Sequence, residues 1–229
     1  MKYRITDIFL LLLFQVGIVT AQTEKVLTLQ FNPVMGNNTL VADKVFYSNG
    51  DSITMEVLRF YISGIELLLN ETTIWKEQNS FHLIDAVLIN SLSVQLKQSS
   101  QLNYNKVKFN IGIDSSTNVA GAMGGDLDPT KGMYWTWQSG YINFKLEGKS
   151  KRCTARNNEF TFHLGGYQKP FNAMQTVVLE IGNTEILNIK LDLDKLISQI
   201  DLSKQNHIMS PGKEAVSLSE IVSKAFSIQ

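Results

Sequence analysis

The chain has 229 residues, 44% of them hydrophobic and 18% charged, with 21 basic residues balancing 21 acidic ones. That is enough apolar material for one large all-β domain, and a net charge of zero lacks the electrostatic footprint of a nucleic-acid binder. Aromatics at 10% exclude a disordered chain, and no internal period points to a solenoid or propeller.

The first residues read as an address. Lys2 and Arg4 precede the apolar run Ile8 to Phe14, and Val19 and Ala21 place small residues before Gln22. This is the layout of a secretory signal peptide. The expected division is a leader over 1–21 and a single domain over 22–229, exported to the periplasm or the cell surface. The apolar run is short for a bilayer span, so no stable membrane insertion is expected after cleavage. Cleavage removes Lys2, Arg4 and Asp7 and leaves 19 basic and 20 acidic residues. Cys153 is the one cysteine, so an exported fold has no internal disulfide and must be held by packing. It reads as an unpaired loop residue.

Period-two alternation then runs along the chain. Leu27, Leu29 and Phe31 begin it, followed by Ile53, Met55 and Val57. Asn49-Gly50-Asp51 predicts a hairpin between Val45 to Tyr47 and the strand from Ile53. The stretch Lys106 to Ile113 alternates throughout. Ile142, Phe144 and Leu146 follow, then Phe160, Phe162 and Leu164, then Leu187, Ile189, Leu191 and Leu193. Six or more such strands predict an antiparallel β-sandwich. Asp114 to Gly132 is rich in glycine and aspartate and predicts a long loop. Leu218, Ile221, Val222 and Ala225 have helical spacing, and Ser217-Leu218-Ser219-Glu220 fits a capping box. The tail is therefore a short C-terminal helical segment on the sandwich.

Three histidines carry most of the available chemistry. His163 lies on the strand face opposite Phe162 and Leu164, just before Gly165-Gly166. His82 has Asp85 three residues on, a candidate to orient its ring. His207 stands two residues before the thioether of Met209. Imidazoles with a soft ligand and no cysteine cage suit copper better than structural zinc. Two tryptophans, Trp135 and Trp137, sit on one predicted strand face in Gly132-Met133-Tyr134-Trp135-Thr136-Trp137-Gln138-Ser139-Gly140-Tyr141. Their plain reading is a core anchor. Asp114, Asn118, Asp126 and Asp128 offer oxygens for calcium, but without EF-hand spacing a solvated acidic loop is the plainer reading. No Gly-x-Ser-x-Gly, P-loop, dinucleotide fingerprint or His-Glu-x-x-His occurs. Asn37 and Asn70 head glycosylation sequons.

The tryptophan block, with Gly125-Asp126-Leu127-Asp128-Pro129 before it and Lys145-Leu146-Glu147-Gly148 after it, resembles the MbnP family. Leu58 to Ser63, Phe81 to Asp85, Phe109 to Asp114, Phe162 to Gly166 and Met209 to Gly212 extend the resemblance over most of the chain. It implies an exported copper-binding protein whose site combines histidine imidazoles with a tryptophan oxidised to kynurenine. It also implies a partner, a di-haem enzyme of the cytochrome c peroxidase type, that installs the oxidation. Carried onto this chain, the candidate ligands are His163, His82, Trp135 or Trp137, and His207.

Two functions of different class follow. One is a copper module for uptake, storage or delivery that turns over no substrate. The other is a binding module for an organic ligand or protein partner, with the tryptophan block as its platform. Approach of His82 to His163 and to Trp135 or Trp137 favours the first; histidines at opposite ends of the sandwich favour the second. An enzyme is the least supported reading.

Overall fold

The computed structural model describes residues 24–48, 50–99, 102–138, 140–182 and 184–229. The expected leader and its cleavage point lie outside the described residues. In chain order come β1 (Glu24–Met35), β2 (Asn38–Thr39), β3 (Val45–Ser48), β4 (Asp51–Leu69), β5 (Thr72–Lys76), β6 (Phe81–Asp85), β7 (Ser93–Ser99) and β8 (Lys106–Ile111). Helix α1 (Ser115–Ala120) follows, then β9 (Tyr134–Trp135), β10 (Gly140–Ser150), β11 (Glu159–Gly165), β12 (Gln175–Glu180) and β13 (Ile186–Asp192). Helix α2 (Leu193–Ile197), β14 (His207–Ile208), helix α3 (Lys213–Ser223) and β15 (Phe226–Ile228) complete the order.

The strands form a sandwich of two sheets. One holds β15, β13, β1 and β2, with β7 on β1; the other is built around β4. β4 is 19 residues long and serves as a spine. Arg59 and Phe60 pair with β6 on one edge and β10 on the other, while Ile62 and Ser63 pair with β6 and β8. β8 and β10 therefore follow one another along the same edge of β4. Beyond β10 lie β11 and then β14. Most pairings are antiparallel, as expected. β1–β13 and β11–β14 are parallel, a feature that alternation cannot reveal because it records faces and not directions.

The alternating residues bury as their period requires. Leu27, Leu29 and Phe31 meet Leu187, Ile189 and Leu191 and the inner face of β4 between the sheets. Phe60 packs on Phe31, Phe144 and Phe226 with ring centroids 5.7–6.0 Å apart. The expected pattern slips at Val57. A bulge between Glu147 and Gly148 opposes one β10 step to two β4 residues, so Leu58, not Val57, enters the core. Cys153 is buried, its thiol donating to the Glu159 carbonyl 2.8 Å away.

A smaller core lies on the outer face of the larger sheet. Tyr61, Ile113, Leu127, Met133, Trp135, Tyr141 and Ile142 form it under the segment 114–133. That segment is no open loop. Asp114 caps α1 by accepting from the Thr117 amide, and two short 3₁₀ turns follow. Asp126 pins it by accepting from the Leu83 amide, which also blocks an outward N–H of edge strand β6. The C-terminal helix starts four residues before the expected capping box. Gly212 stands at its N-cap, so Ser217 and Ser219 lie inside it, and the Ser219 hydroxyl turns back to the Ala215 carbonyl.

Phe60→Ala is expected to cost about 3–5 kcal/mol, because it removes the ring that three others surround. Urea unfolding followed by far-ultraviolet circular dichroism measures it.

Candidate metal centre

β10 and β11 pair so that Lys145 stands beside His163 and Glu147 beside Thr161. Period two puts all four on the outer face, away from the core residues Phe144, Leu146, Phe162 and Leu164. The His163 ring is buried and its Nε2 lies 2.7 Å from Glu147 Oε1, with Lys145 Nζ 3.3 Å from the same oxygen. Burial lowers the His163 pKa, outweighing the carboxylate, and Lys145 and His207 push it the same way. Burial alone would raise Glu147, but hydrogen bonds from His163 and Lys145 hold its carboxyl below the usual range. The two shifts agree on one state: a neutral imidazole giving its Nε2 proton to an ionised glutamate. That tautomer leaves a lone pair on Nδ1. A carboxylate fixing a histidine this way is a common support for a metal ligand.

His207 joins the same patch. It pairs with Thr161 across the parallel β11–β14 contact, which makes it a diagonal neighbour of His163 on the adjoining strand. His207 is exposed. Trp135 arrives from the other direction, over Gly165. A side-chain carbon on that glycine would stand 2.7 Å from the indole Cζ3 and 2.7 Å from the Tyr141 carbonyl. Gly165 therefore exists to admit the ring, two residues along the strand from His163. Trp135 is 6% exposed and its Nε1 is buried without a hydrogen-bond partner. Such an orphan donor calls for a physical explanation.

Trp137 departs from the expected shared face. β9 ends at Trp135 and the chain turns, leaving Trp137 64% exposed with its ring centroid 5.8 Å from that of Trp135. His82 departs further. It pairs with Ile62, so it belongs to the opposite face of the sheet from His163, with β4 and β10 between their strands. At about 4.8 Å per strand the lateral separation is near 14 Å. The approach of His82 to His163 expected for a shared copper site is not there. Asp85 does not orient His82 either. It bonds Arg59 Nε at 2.7 Å from the other face, and Glu77 Oε2 holds His82 Nε2 at 2.8 Å. A residue three positions on in a strand points away, which the spacing alone signals. Glu147 and Gly165 are the parts of this centre that sequence reasoning misses. Glu147 alternates with Leu146, and only the β10–β11 register brings it to His163.

The acidic loop is likewise occupied by its own structure. Asp114 and Asp128 cap short helical turns, Asp126 binds Lys131 and Leu83, and Asn118 joins Ile113 to Tyr141. Among the described residues, no three of His, Cys, Asp and Glu converge on a metal-sized point. The centre thus offers His163, His207 and the indole edge of Trp135, one firm ligand short of a closed set.

Two tests follow from this geometry. Gly165→Ala is expected to displace the Trp135 ring and shift its emission toward that of exposed indole, read by fluorescence in a Trp75→Phe, Trp137→Phe background that leaves Trp135 as the one indole. The depressed His163 pKa also has a sign in stability. The unfolded chain gains a proton near 6.5, the usual value, and the folded one does not. Stability from this group is full above that pH and lost as pH falls through it toward the folded value. Glu147 acts in the same direction below 4.5. Unfolding free energy is therefore expected to drop on acidification from neutral, and His163→Gln should flatten the upper part of that slope.

The sequence profile of the MbnP family matches residues 24–210. Among solved structures, MbnP from Methylosinus trichosporium is similar, with a TM-score of 0.61 at 17% identity over 79% of this chain and 80% of that one. At that identity the likeness is one of fold. No curated protein matches the chain in sequence.

Proposed function

The chain belongs to the MbnP family, and from that premise we propose that it is an exported copper-binding protein that holds the metal for uptake, storage or delivery and turns over no substrate. One observation supports this best: His163, His207 and Trp135, chosen from distant parts of the sequence, come to one face of β11, with Glu147 freeing the His163 lone pair. The donor chemistry fits copper in part. Two imidazoles suit it, and unmodified indole is a poor ligand. Oxidation of Trp135 to kynurenine would turn the orphan indole N–H into an aniline donor and supply the missing ligand. Trp137, outside it and solvent-facing, is the second candidate for that change. A di-haem peroxidase-type enzyme is the partner that this chemistry calls for. His82, on the far face, stays outside the site. Among the described residues no helix is long and apolar enough to cross a membrane.

The competing reading, a module for an organic ligand, has two features in its favour: the separation of His82 from His163, and a cleft beside His82. His82, Leu83 and Asp126 line a cleft of ≈ 640 Å³ together with the exposed Val87, Leu88 and Ile89.

Copper titration of the wild type, His163→Ala, His207→Ala and His82→Ala tests the choice, with protein made with and without the di-haem partner and tryptophan oxidation followed by intact mass. The expected result is loss of the tight site in the first two variants and full stoichiometry in His82→Ala. Glu147→Ala should weaken binding about 10–100-fold, the usual cost of removing a ligand's support. A wild type that binds no copper even after tryptophan oxidation would sink the reading.

A further inference from the structure

Four segments converge at the end of the molecule where Trp137 emerges. Ser115 Oγ at the start of α1 donates to the Tyr167 carbonyl at 2.7 Å, and the Met123 amide donates to Tyr141 Oη at 3.0 Å. A side-chain carbon on Gly140 would lie 3.2 Å from the Tyr167 ring, and one on Gly166 would lie 3.0 Å from Pro211. Gln138, Tyr167, Phe171 and Pro211 line one small cleft there. The segments 117–125, 135–138, 166–174 and 209–212 thus build one surface, in two of its parts next to the His163 patch.

Its composition is unusual for this chain. Although 18% of all residues are charged, these four segments carry a single charge, Lys169. They also present Val119 at 74% exposure, Trp137 at 64%, Met123 at 46%, Phe171 at 42% and Met209 at 38%. Depletion of charge with enrichment of tryptophan, phenylalanine and methionine is the composition of an interface centre. Side chains of this size at these exposures offer on the order of 500 Å² of apolar area, close to the apolar share of one side of a standard interface of about 800 Å² per partner.

We propose that this face pairs two copies of the chain about a two-fold axis. The charges select that occupant. A two-fold contact sets a patch against itself, so a patch of one charge sign repels its copy; here the one charge, Lys169, has Glu214 close by to oppose it. Lys169 and Glu214 lie in adjoining clefts that share Pro211. Neither joins an ion pair among the described residues. A two-fold axis passing near Pro211 sets Lys169 of one copy against Glu214 of the other and closes two equal ion pairs. The proposal does not depend on copper.

Sedimentation of the purified protein from about 1 μM to about 1 mM is the test. The wild type should associate to a dimer within that range. Val119→Lys with Phe171→Lys should raise the dimer dissociation constant at least about tenfold, because two desolvated charges then meet their copies. Lys169→Glu should raise it up to about fivefold, as an exposed pair allows, and adding Glu214→Lys should restore it. All four positions are exposed, and an unchanged thermal midpoint confirms that each variant folds. A wild type that stays monomeric at the highest concentration overturns the proposal. So does a dimer indifferent to the lysine pair, or one that the reciprocal charge swap fails to restore.

Discussion

Everything in this fold depends on one strand having two different faces over nineteen residues. The inner face of β4 presents Ile53, Met55, Leu58, Phe60 and Ile62 to the core between the sheets. Its outer face presents Arg59 and Tyr61 to the segment 114–133 and to the second, smaller core. A strand buried on both faces needs both covered, and the sandwich partner can cover only one. The glycine- and aspartate-rich segment covers the other. It is a lid of short helical turns held by Tyr61, Asp126, Asn118 and Tyr141 through the backbone groups they bond.

The Trp135 ring of that second layer lies beside the candidate centre. Once covered, outer-face side chains that would otherwise be hydrated become desolvated, and their electrostatics sharpen. His163 is buried enough to stay neutral, Glu147 is held ionised by the bonds it accepts, and Trp135 loses water without gaining a partner for its N–H. Tyr61 shows the same effect more strongly. Burial first, then Tyr141 and two acidic neighbours, push its phenol well above the ordinary value, so it remains a hydrogen-bond donor to the Asp126 carbonyl at all ordinary pH. The candidate centre is thus polar groups on the outer face of β10 and β11, with the Trp135 ring of the second core beside them.

The strands and their buried faces were legible in the residues themselves. Alternation at Leu27 and Leu29, at Phe144 and Leu146, at Phe162 and Leu164, and at Leu187 and Ile189 follows from the pleat, which sends successive side chains to opposite sides whatever the partner strand. The resemblance carried by the tryptophan block proved a sound guide to family and fold. His163 on a polar strand face and Trp135 as a buried ring were also readable, each from its immediate neighbours. Where the reading fails, the cause is local. Proximity in sequence couples Asp85 to His82 across an odd number of strand residues, and alternation carries Trp137 onto a strand that ends two residues sooner.

The sequence by itself determined the period, the family pattern and which residues carry usable chemistry, because those are properties of short stretches and of side-chain type. Only the tertiary structure decided which of them meet. Register between β10 and β11 brings Glu147 to His163, and a parallel contact with β14 adds His207. The same registers leave His82 on the opposite face. Register is set by bulges, turn closure and core packing far along the chain, and a slip of one residue exchanges the faces of a strand. No reading confined to one strand contains that information.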